Sequence, residues 1–531
     1  MPDFLRLSET ETAVATILRL RTRRHRLVFS LLAAFLLSVF TAWLASQITG
    51  FPQPTVHDEF CYLLSGETFA SGRLAMPEHP MGYFFQTFHQ LQTPAYVAKY
   101  PPGQGLVLAV GFLLGDPIYG VWLLIGLLGS AMVWMLAGFC RVRWAFIGGV
   151  AAGVWFGGFS YWAQSYWGGA LTATGAALLW GATRRFYVNP RAGIAVLIGT
   201  GIAILFLTRP FDGALACLVP LAVLLLRMVG SLQLGRLSAD FLRLSVAALP
   251  LLAAVVFQIA CNQAATGNPW KLPYTEYRDQ YDRNPILVWE KPRVPPVFDH
   301  ARMEQFDIEV QERTAVAPKV LLPLLSERVE VFARFYTGGL APLFILSLFF
   351  IWPSRWALIS LTAVAVSLTS ALWVYAYYFH YIAAAAAPLT LAFVAAGRTL
   401  WVRFPHRRHT LVAISLALFV IMLCIRQSVI TYHPPLVEHR GHRVAIAQKL
   451  TTEPGEHLVV VKYERGLDAQ VEYVFNGAHI DQQPIIWARW TSDAGTRGLY
   501  DYYEGRRLWL LTVRPKGEPR LREFAWVPGS E

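Results

Sequence analysis

Charged residues are scarce in this chain. Lys, Arg, Asp and Glu make up 15% of its 531 residues, whereas 55% are hydrophobic. Soluble domains carry about 25% charged residues. Apolar runs of about 20 residues, the length needed to cross a bilayer, recur along the chain. The shortage of charge therefore excludes an ordinary soluble protein and predicts a polytopic α-helical membrane protein.

Cysteines and acidic residues are also few. The 5 cysteines lack the spacing of a metal motif, and most lie in apolar stretches, so the sequence implies no disulfide framework. The net charge of +12 comes with arginines in the short connections between apolar runs. Arginines placed there orient membrane helices. This distribution favours a lipid bilayer over nucleic acid as the partner of the basic residues.

The apolar runs predict about 11 transmembrane helices. Gly115-Asp116-Pro117 interrupts the second run, so we expect a short interfacial helix before it and a span after it. Arg-rich and nearly Arg-free connections alternate, which predicts a cytoplasmic N-terminus, an uncleaved first helix and a multi-pass protein of the cytoplasmic (inner) membrane. The runs are 27–50, 104–139, 145–161, 167–183, 192–208, 212–229, 244–263, 335–352, 356–373, 380–397 and 410–430.

In this topology the long hydrophilic segments of the chain lie on the outer side of the membrane. We expect a transmembrane domain over residues 1–430 with outer loops 51–103 and 264–334, followed by a small extracytoplasmic α/β domain over 431–531. In the latter, strands are predicted at 457–463, 484–487 and 507–513, and a short helix at 492–504. This asymmetry favours chemistry at the outer surface over passage through the bilayer.

An acidic pair, Asp58-Glu59, follows the first apolar run. Ionisable residues at a membrane surface are costly to place and suggest a functional site. Segment 58–72 has apolar residues at helical spacing opposite Glu59 and Glu67, which predicts an amphipathic helix along the outer face. The alternative for Asp58 is a helix-capping role.

Lys99 lies just before the next apolar run, in the sequence Lys99-Tyr100-Pro101-Pro102. Two successive prolines force an extended start to the following helix. We therefore expect Lys99 to be held at the membrane surface, at the depth of a lipid phosphate.

This combination of features resembles the GT-C glycosyltransferases. An acidic pair after the first transmembrane helix, an amphipathic helix and a lysine followed by two prolines are similar to the branch of protein O-mannosyltransferases, lipid A aminoarabinose transferases and RgtA/B/C/D-like proteins. The resemblance covers roughly residues 20–215 in its motifs, and beyond them it is architectural. Ala98 departs from the acid that often precedes the lysine in close relatives, and Tyr100 is inserted before the prolines.

The resemblance implies a polyprenyl-phosphate-linked sugar as donor, catalysis at the outer face, and Asp58 as the general base that deprotonates the acceptor hydroxyl. Glu59 would support Asp58. Independently of the family, such a transfer needs a base for the incoming hydroxyl and cations for the departing phosphate. Direct attack on an anomeric phosphate would invert the configuration. The acceptor would be a cell-envelope glycan, a lipid or a protein.

Cationic candidates for the donor phosphate are Lys99, Arg209 and His380. Arginine binds phosphate bidentately, although Arg209 shares a short turn with Asp212 and could pair with it. His380 begins an apolar run in an aromatic cluster, and an interfacial histidine is the alternative.

Substrate contacts are predicted from aromatic and polar residues on the outer side. For the aromatic residues, anchoring in the interfacial belt is the alternative, and for the loop residues it is solvation. A divalent metal ion is a further open possibility, because the first outer loop contains several histidines and acids, but they lack regular ligand spacing. The substrate-binding candidates are His57, Tyr62, Tyr166 and Tyr274.

Two other functions fit parts of the same pattern. A membrane transporter or lipid flippase would use Asp58 and Glu59 as a cation site, and inverted internal repeats, which would favour it, are not evident in the sequence. A ligase for lipid-linked glycans would share the large outer loops.

Overall fold

The structure is a computed structural model that describes residues 9–158, 160–294, 296–316, 321–337, 355–375, 378–429, 434–492 and 495–525. This part of the chain is mostly helical. Within it, 7 helices are long and apolar enough to cross a membrane. They are Thr22–Thr49, Pro117–Ala137, Pro210–Gln233, Leu237–Thr266, Arg355–Leu372, Phe379–Arg403 and Pro405–Leu423.

The chain is thus a membrane protein. Three shorter apolar helices accompany the long ones, over Gly103–Leu113, Val142–Gly157 and Ala192–Thr208. The run expected at 335–352 lies mostly outside the described residues, so the total of about 11 spans stays a prediction.

The helix bounds follow the apolar runs. The helices up to the second long loop are α1 Glu9–Thr49, α2 His57–Ala70, α3 Gly82–Phe85, α4 Gly103–Leu113, α5 Pro117–Ala137, α6 Val142–Gly157, α7 Ala170–Val188, α8 Ala192–Thr208, α9 Pro210–Gln233, α10 Leu237–Ser245, α11 Ala248–Thr266, α12 Pro273–Tyr281, α13 Ala301–Val316 and α14 Leu321–Phe332. Later helices are Arg355–Leu372, Phe379–Ala385 (3₁₀), Ala386–Arg403, Arg408–Val429, Pro434–Thr452 and Arg497–Tyr502.

The predicted break in the second apolar run is confirmed. Helix α4 ends at Leu113, and α5 begins at Pro117. The carboxylate of Asp116 accepts a hydrogen bond from the Ile118 N–H at 2.9 Å and so caps α5. Proline suits the first position of a helix because its missing N–H would be unpaired there anyway.

Small residues let α1 approach its neighbours. Ser38 on α1 is fully buried, and a Cβ added to Gly129 of α5 or Gly153 of α6 would lie 2.3 or 2.1 Å from its hydroxyl oxygen. Close backbone approach through small residues is a common means of packing membrane helices. The opposite face of α1 is exposed and apolar, with Phe29 72% exposed, as expected for a surface that faces lipid.

The predicted helix after the first span is present as α2, but it has no solvent-exposed acidic face at Glu59. In α2, both apolar Phe60 and acidic Glu59 are buried. One side packs on α4, where a Cβ on Gly105 would lie 2.1 Å from the Ser65 hydroxyl. On another side Phe60 stacks on Phe475, at 4.4 Å between ring centroids. The prediction of an amphipathic surface helix is wrong because residues distant in sequence cover it.

Two sheets lie outside the helical bundle. The first outer loop forms a three-stranded antiparallel sheet in the order β1-β3-β2, and the C-terminal part forms a four-stranded mixed sheet in the order β5-β4-β6-β7. The strands are β1 Met76–Pro77, β2 Gln90–Leu91, β3 Ala95–Ala98, β4 His457–Tyr463, β5 Ile485–Arg489, β6 Arg507–Val513 and β7 Arg520–Phe524.

The C-terminal strands match their predicted positions closely. β4 and β6 coincide with the expected runs 457–463 and 507–513, and β5 overlaps 484–487. Both β5 and β6 pair with β4 in parallel. The fourth strand, β7, was not predicted from the sequence, and it pairs with β6 in antiparallel fashion. The expected boundary near residue 431 lies outside the described residues.

Buried charges join the C-terminal sheet to the outer loops. Arg489 pairs with Glu472 at 2.6 Å, and both side chains are almost fully buried. Arg489 also donates from Nε to the carbonyl of Gln86 in the first outer loop. Arg302 on α13 donates to backbone carbonyls that include Val471 at 2.6 Å. The sheet and the outer loops therefore pack as one region.

Candidate active site

Asp58 lies in the first turn of α2 with its carboxylate partly open, since 26% of the side chain is exposed. The Tyr100 hydroxyl donates a hydrogen bond to Oδ1. His89 Nε2 lies 4.0 Å from Oδ2. Burial raises the pKa of Asp58 above its ordinary value, and the Tyr100 hydrogen bond and the positive charge of Lys99 oppose that rise. Asp58 is thus a partly exposed carboxylate that accepts a hydrogen bond from Tyr100 and lies within electrostatic reach of Lys99 and Arg209.

Glu59 has different surroundings although it is the next residue. Its Oε2 accepts from the backbone N–H groups of Thr55 at 2.7 Å and Val56 at 3.2 Å, and its Oε1 accepts from that of Tyr166 at 3.1 Å. Burial raises the pKa of Glu59 to about 7. Both carboxylate oxygens are engaged with backbone, so this acid holds two loops against the start of α2.

Lys99 is buried within a cage of tyrosine rings. Its ammonium lies 4.4 Å from the ring centroid of Tyr277, 4.9 Å from that of Tyr274 and 5.3 Å from that of Tyr100. Aromatic faces attract cations at such distances. Burial lowers the pKa of Lys99, and the negative charges of Asp282 and Asp58 oppose that change. The cage fixes one positive charge within electrostatic reach of Asp58.

Arg209 immediately precedes α9 and supplies a second cation. Its Nε donates to Asp212 Oδ2 at 2.6 Å, so the pairing considered from the sequence is present. Its guanidinium carbon also lies 3.9 Å from the ring centroid of Tyr381. The Asp212 contact uses Nε, and the guanidinium carries further N–H donors on its two terminal nitrogens.

Tyrosines connect these charges. Tyr62 stacks on Tyr100 with ring centroids 4.9 Å apart, and Tyr274 lies 6.3 Å from Tyr100. Burial raises the pKa of both Tyr62 and Tyr274, and the charges of Arg209 and Asp58 act on each of them. We call this group the acid–cation cluster. Its members are Asp58, Lys99, Arg209, Tyr62, Tyr100, Tyr274, Tyr277 and Tyr381.

Three other predicted site residues occupy packing positions. His57 is 1% exposed, with its ring 4.5 Å from that of Phe88, and burial lowers its pKa to about 3. The Tyr166 hydroxyl donates to the Pro52 carbonyl at 2.9 Å. His380 is buried, and its Nδ1 lies 3.0 Å from the hydroxyl of Tyr161. Among the contacts that the structure describes, neither His57 nor Tyr166 touches a member of the acid–cation cluster. The ring of His380 lies 4.9 Å from that of its neighbour Tyr381.

The described residues include no group of three or more His, Cys, Asp or Glu side chains positioned to hold a metal ion. The histidines of the first outer loop separate into different environments. His79 pairs with Asp481 at 3.0 Å, whereas His89 faces Asp58.

Tyr100 and Tyr277 belong to the cluster but were not among the site residues predicted from the sequence. Tyr100 stood out only as an insertion before the two prolines, yet it donates to Asp58. Tyr277 follows Tyr274 by three residues on α12, which places both rings on one face of that helix. The spacing of these two tyrosines was the available signal, but the sequence did not indicate that α12 packs beside Lys99.

Comparison with known proteins gives a distant structural match. No protein-family model matches the chain, and no curated protein matches its sequence. Two solved structures from Archaeoglobus fulgidus match with a TM-score of 0.43 and 12% identity. One is the oligosaccharyltransferase tethered with an acceptor peptide containing the NVT sequon, and the other is oligosaccharyltransferase AglB in complex with an inhibitory peptide and a dolichol-phosphate.

The two alignments cover 82% and 92% of this chain, and 62% and 69% of the archaeal chains. This chain thus spans 62% of the length of the first. Similarity at this level assigns no function to the chain.

Proposed function

We propose that the chain is an integral-membrane glycosyltransferase of GT-C type. It moves a sugar from a polyprenyl-phosphate-linked donor to a hydroxyl of a cell-envelope glycan, a lipid or a protein. The observation that carries the proposal is the acid–cation cluster, in which the partly open carboxylate of Asp58 lies within electrostatic reach of Lys99 and Arg209. Tyrosine rings wall this group at the outer-loop end of the bundle.

The chemistry assigns one role to each charge. Asp58 takes the proton of the acceptor hydroxyl while the hydroxyl oxygen attacks the anomeric carbon of the donor. The bond between that carbon and the phosphate oxygen breaks, and polyprenyl phosphate leaves with the bonding electron pair. Lys99 and Arg209 stabilise the negative charge on the departing phosphate. Attack from the face opposite the phosphate inverts the anomeric configuration.

The tyrosines of the cluster suit the sugar. One face of Tyr62 stacks on Tyr100, and Lys99 lies over the ring of Tyr274. We propose that the remaining ring faces pack against the apolar C–H face of a hexose or pentose. Their hydroxyl groups add hydrogen-bonding capacity at the ring edge. We assign them to donor-sugar binding, and we assign Glu59 to positioning Asp58 through the start of α2.

The proposed location is the outer face of the cytoplasmic membrane. The support is the alternation of arginine-rich and arginine-poor connections, which puts the N-terminus in the cytoplasm and the two outer loops and the C-terminal sheet on the other side. Lipid-linked sugars with long polyprenyl chains reach such a site from within the bilayer.

The geometry does not favour the rival functions. A transporter or flippase that binds its coupling cation between Asp58 and Glu59 needs both carboxylates at one site. The carboxylate of Glu59 instead accepts hydrogen bonds from three backbone N–H groups. A glycan ligase would use the same base and cations, and the size of the transferred unit distinguishes it.

Product analysis in cells tests the function. In a strain lacking this protein, mass spectrometry should find the donor lipid accumulated and one glycosylated product missing. Wild-type protein and Asp501→Asn, which alters an exposed carboxylate on helix Arg497–Tyr502, should restore the product, whereas Asp58→Asn should not. Restoration by Asp58→Asn at equal protein level would refute the assignment of the base, and unchanged lipids and glycans in the deletion strain would refute the transferase.

A further inference from the structure

A large basic cavity lies at the opposite end of the helical bundle from Asp58. Its volume is about 1330 Å³, and it opens between α1, the connection from α5 to α6, and helix Ala386–Arg403. Its arginines are Arg23, Arg26, Arg141, Arg143 and Arg398. The acid–cation cluster uses none of them.

The cavity lies near the other surface of the membrane. From Arg26 to the end of α1 at Thr49 the helix rises by about 35 Å, at about 1.5 Å per residue. The hydrocarbon core of a bilayer is about 30 Å thick. Since Asp58 follows the far end of α1, the cavity arginines lie at head-group depth on the side of the membrane away from the proposed active site.

The charge of the cavity is not neutralised within the described part of the chain. None of the described residues that line it is acidic. The ion pairs found among the described residues include none of its arginines. By contrast, Arg227 and Arg243 both pair with the buried carboxylate of Asp240. Arg227 and Arg243, at connections between other helices, thus have an acid partner, whereas the cavity arginines have none among the described residues.

The walls of the cavity are apolar where it meets the bilayer. Phe29, Phe139 and Phe146 line it together with the arginines. Phe29 belongs to the exposed, lipid-facing side of α1. A ligand that fits carries anionic oxygens for the guanidinium groups and hydrocarbon for the phenyl rings. Phosphate suits arginine because two N–H groups bind two oxygens at once.

We propose that this cavity binds the head group of an anionic phospholipid, with the acyl chains lying along α1. Basic pockets between membrane helices are suited to such head groups. A lipid is favoured over a soluble phosphate because the phenyl rings and the lipid-facing side of α1 continue the cavity into the bilayer. The proposal is independent of the glycosyltransferase assignment.

Arginines at helix ends also orient membrane proteins, so the test needs a charge-matched control. The cavity variant is Arg26→Gln/Arg141→Gln/Arg398→Gln. The control is Arg191→Gln/Arg403→Gln/Arg407→Gln, which removes the same charge at the same end of the bundle from residues outside the cavity. If the cavity triple does not purify as a single species, Arg141→Gln/Arg143→Gln on the connection between α5 and α6 replaces it.

The measurement is native mass spectrometry of the purified full chain titrated with phosphatidylglycerol or with phosphatidylcholine of the same acyl chains. Wild type and the control triple should prefer phosphatidylglycerol. The cavity variant should bind it at least about tenfold more weakly, given the contribution of each arginine near an anionic lipid.

Three results would overturn the proposal. Equal weakening in both triples would mean that only the general surface charge attracts the lipid. Equal binding of the two lipids by wild type would mean that no anionic head group is recognised. Displacement of bound phosphatidylglycerol by micromolar inorganic pyrophosphate would assign the cavity to a soluble anion.

Discussion

At the residue scale, the adjacent acids Asp58 and Glu59 carry the same functional group but have different surroundings, and we assign them different roles. Asp58 is partly open and accepts from a side-chain hydroxyl, whereas Glu59 is buried and accepts from backbone. A proton acceptor needs an approach for its substrate and a pKa matched to its task. Of the two carboxylates, only that of Asp58 is exposed enough for a substrate to reach it.

Tyr100 should determine the pH at which the acid limb of the pH–activity profile lies. Burial raises the pKa of Asp58, and the hydrogen bond from Tyr100 stabilises the ionised form and lowers it again. The base must be ionised, so activity falls as the pH drops through this pKa. Tyr100→Phe removes the donor, and the pKa rises further. The acid limb of kcat/KM against pH should therefore move to higher pH.

Tyr62→Phe is the matched control for this profile, because Tyr62 stacks on Tyr100 but its hydroxyl is not the donor to Asp58. Its acid limb should stay at the wild-type position. An unchanged limb in Tyr100→Phe, or one that moves to lower pH, contradicts the role given to Tyr100.

Lys99 should act on the donor rather than on the acceptor. Lys99→Gln keeps a polar side chain but removes the positive charge that acts on Asp58. A charge-assisted hydrogen bond contributes about 1.5–3 kcal/mol, so KM for the polyprenyl-phosphate donor should rise roughly tenfold or more. KM for the acceptor should change little. Steady-state kinetics with each substrate varied in turn measures this split, and an effect confined to the acceptor would contradict it.

At the element scale, Glu59 anchors the N-terminus of α2. In Glu59→Ala the buried N–H groups of Thr55, Val56 and Tyr166 lose their acceptor. Leaving buried donors unpaired costs about 1–3 kcal/mol each before relaxation. We expect the free energy of unfolding in detergent micelles to fall by about 2–4 kcal/mol.

Glu78→Ala is the control, because Glu78 is an exposed acid of the same outer loop. Its unfolding free energy should stay within about 0.5 kcal/mol of wild type. A stable Glu59→Ala protein that had lost activity would instead place Glu59 in the chemistry.

Helix bounds followed from the sequence where the local signals were strong. The glycine and proline around Asp116 marked the break between α4 and α5, and the β-branched run of β4 marked a buried strand. The surroundings of α2 did not follow, because Phe60 packs on Phe475, more than 400 residues away. Periodicity identifies a helix but not the distant residues that cover it.

The same limit applied to the site. Proline rigidity and charge indicated Asp58 and Lys99 from their own loop. By contrast, the cage around Lys99 depends on α12 from the second outer loop, and the ring under Arg209 comes from Tyr381. These contacts are long-range, and no local pattern encodes them.

At the scale of the whole molecule, a buried ion pair within the C-terminal region holds Arg489, which contacts the first outer loop. Glu472→Gln leaves the Arg489 guanidinium with a weaker partner in a buried position. Breaking one partner of a buried pair costs about 3–5 kcal/mol. Because Arg489 also binds the Gln86 carbonyl, the variant should both unfold more easily and transfer sugar more slowly.

The double variant Glu472→Met/Arg489→Met removes both charges and should recover part of the lost stability, since apolar replacement of a buried pair is often neutral. Chemical unfolding in micelles and a transfer assay on the same preparations measure both effects. Equal destabilisation by the single and double variants would contradict the ion-pair explanation.

Sugar transfer in a purified system tests the central claim most directly. Proteoliposomes containing wild type, Asp58→Asn or Asp501→Asn would receive a radiolabelled polyprenyl-phosphate sugar and an acceptor extract, and the rate of polyprenyl phosphate release would be measured. Loss of a general base lowers a rate by about 10²–10⁴-fold, so Asp58→Asn should be slower by that factor while Asp501→Asn matches wild type. Asp58→Asn transferring sugar at the wild-type rate would contradict the account.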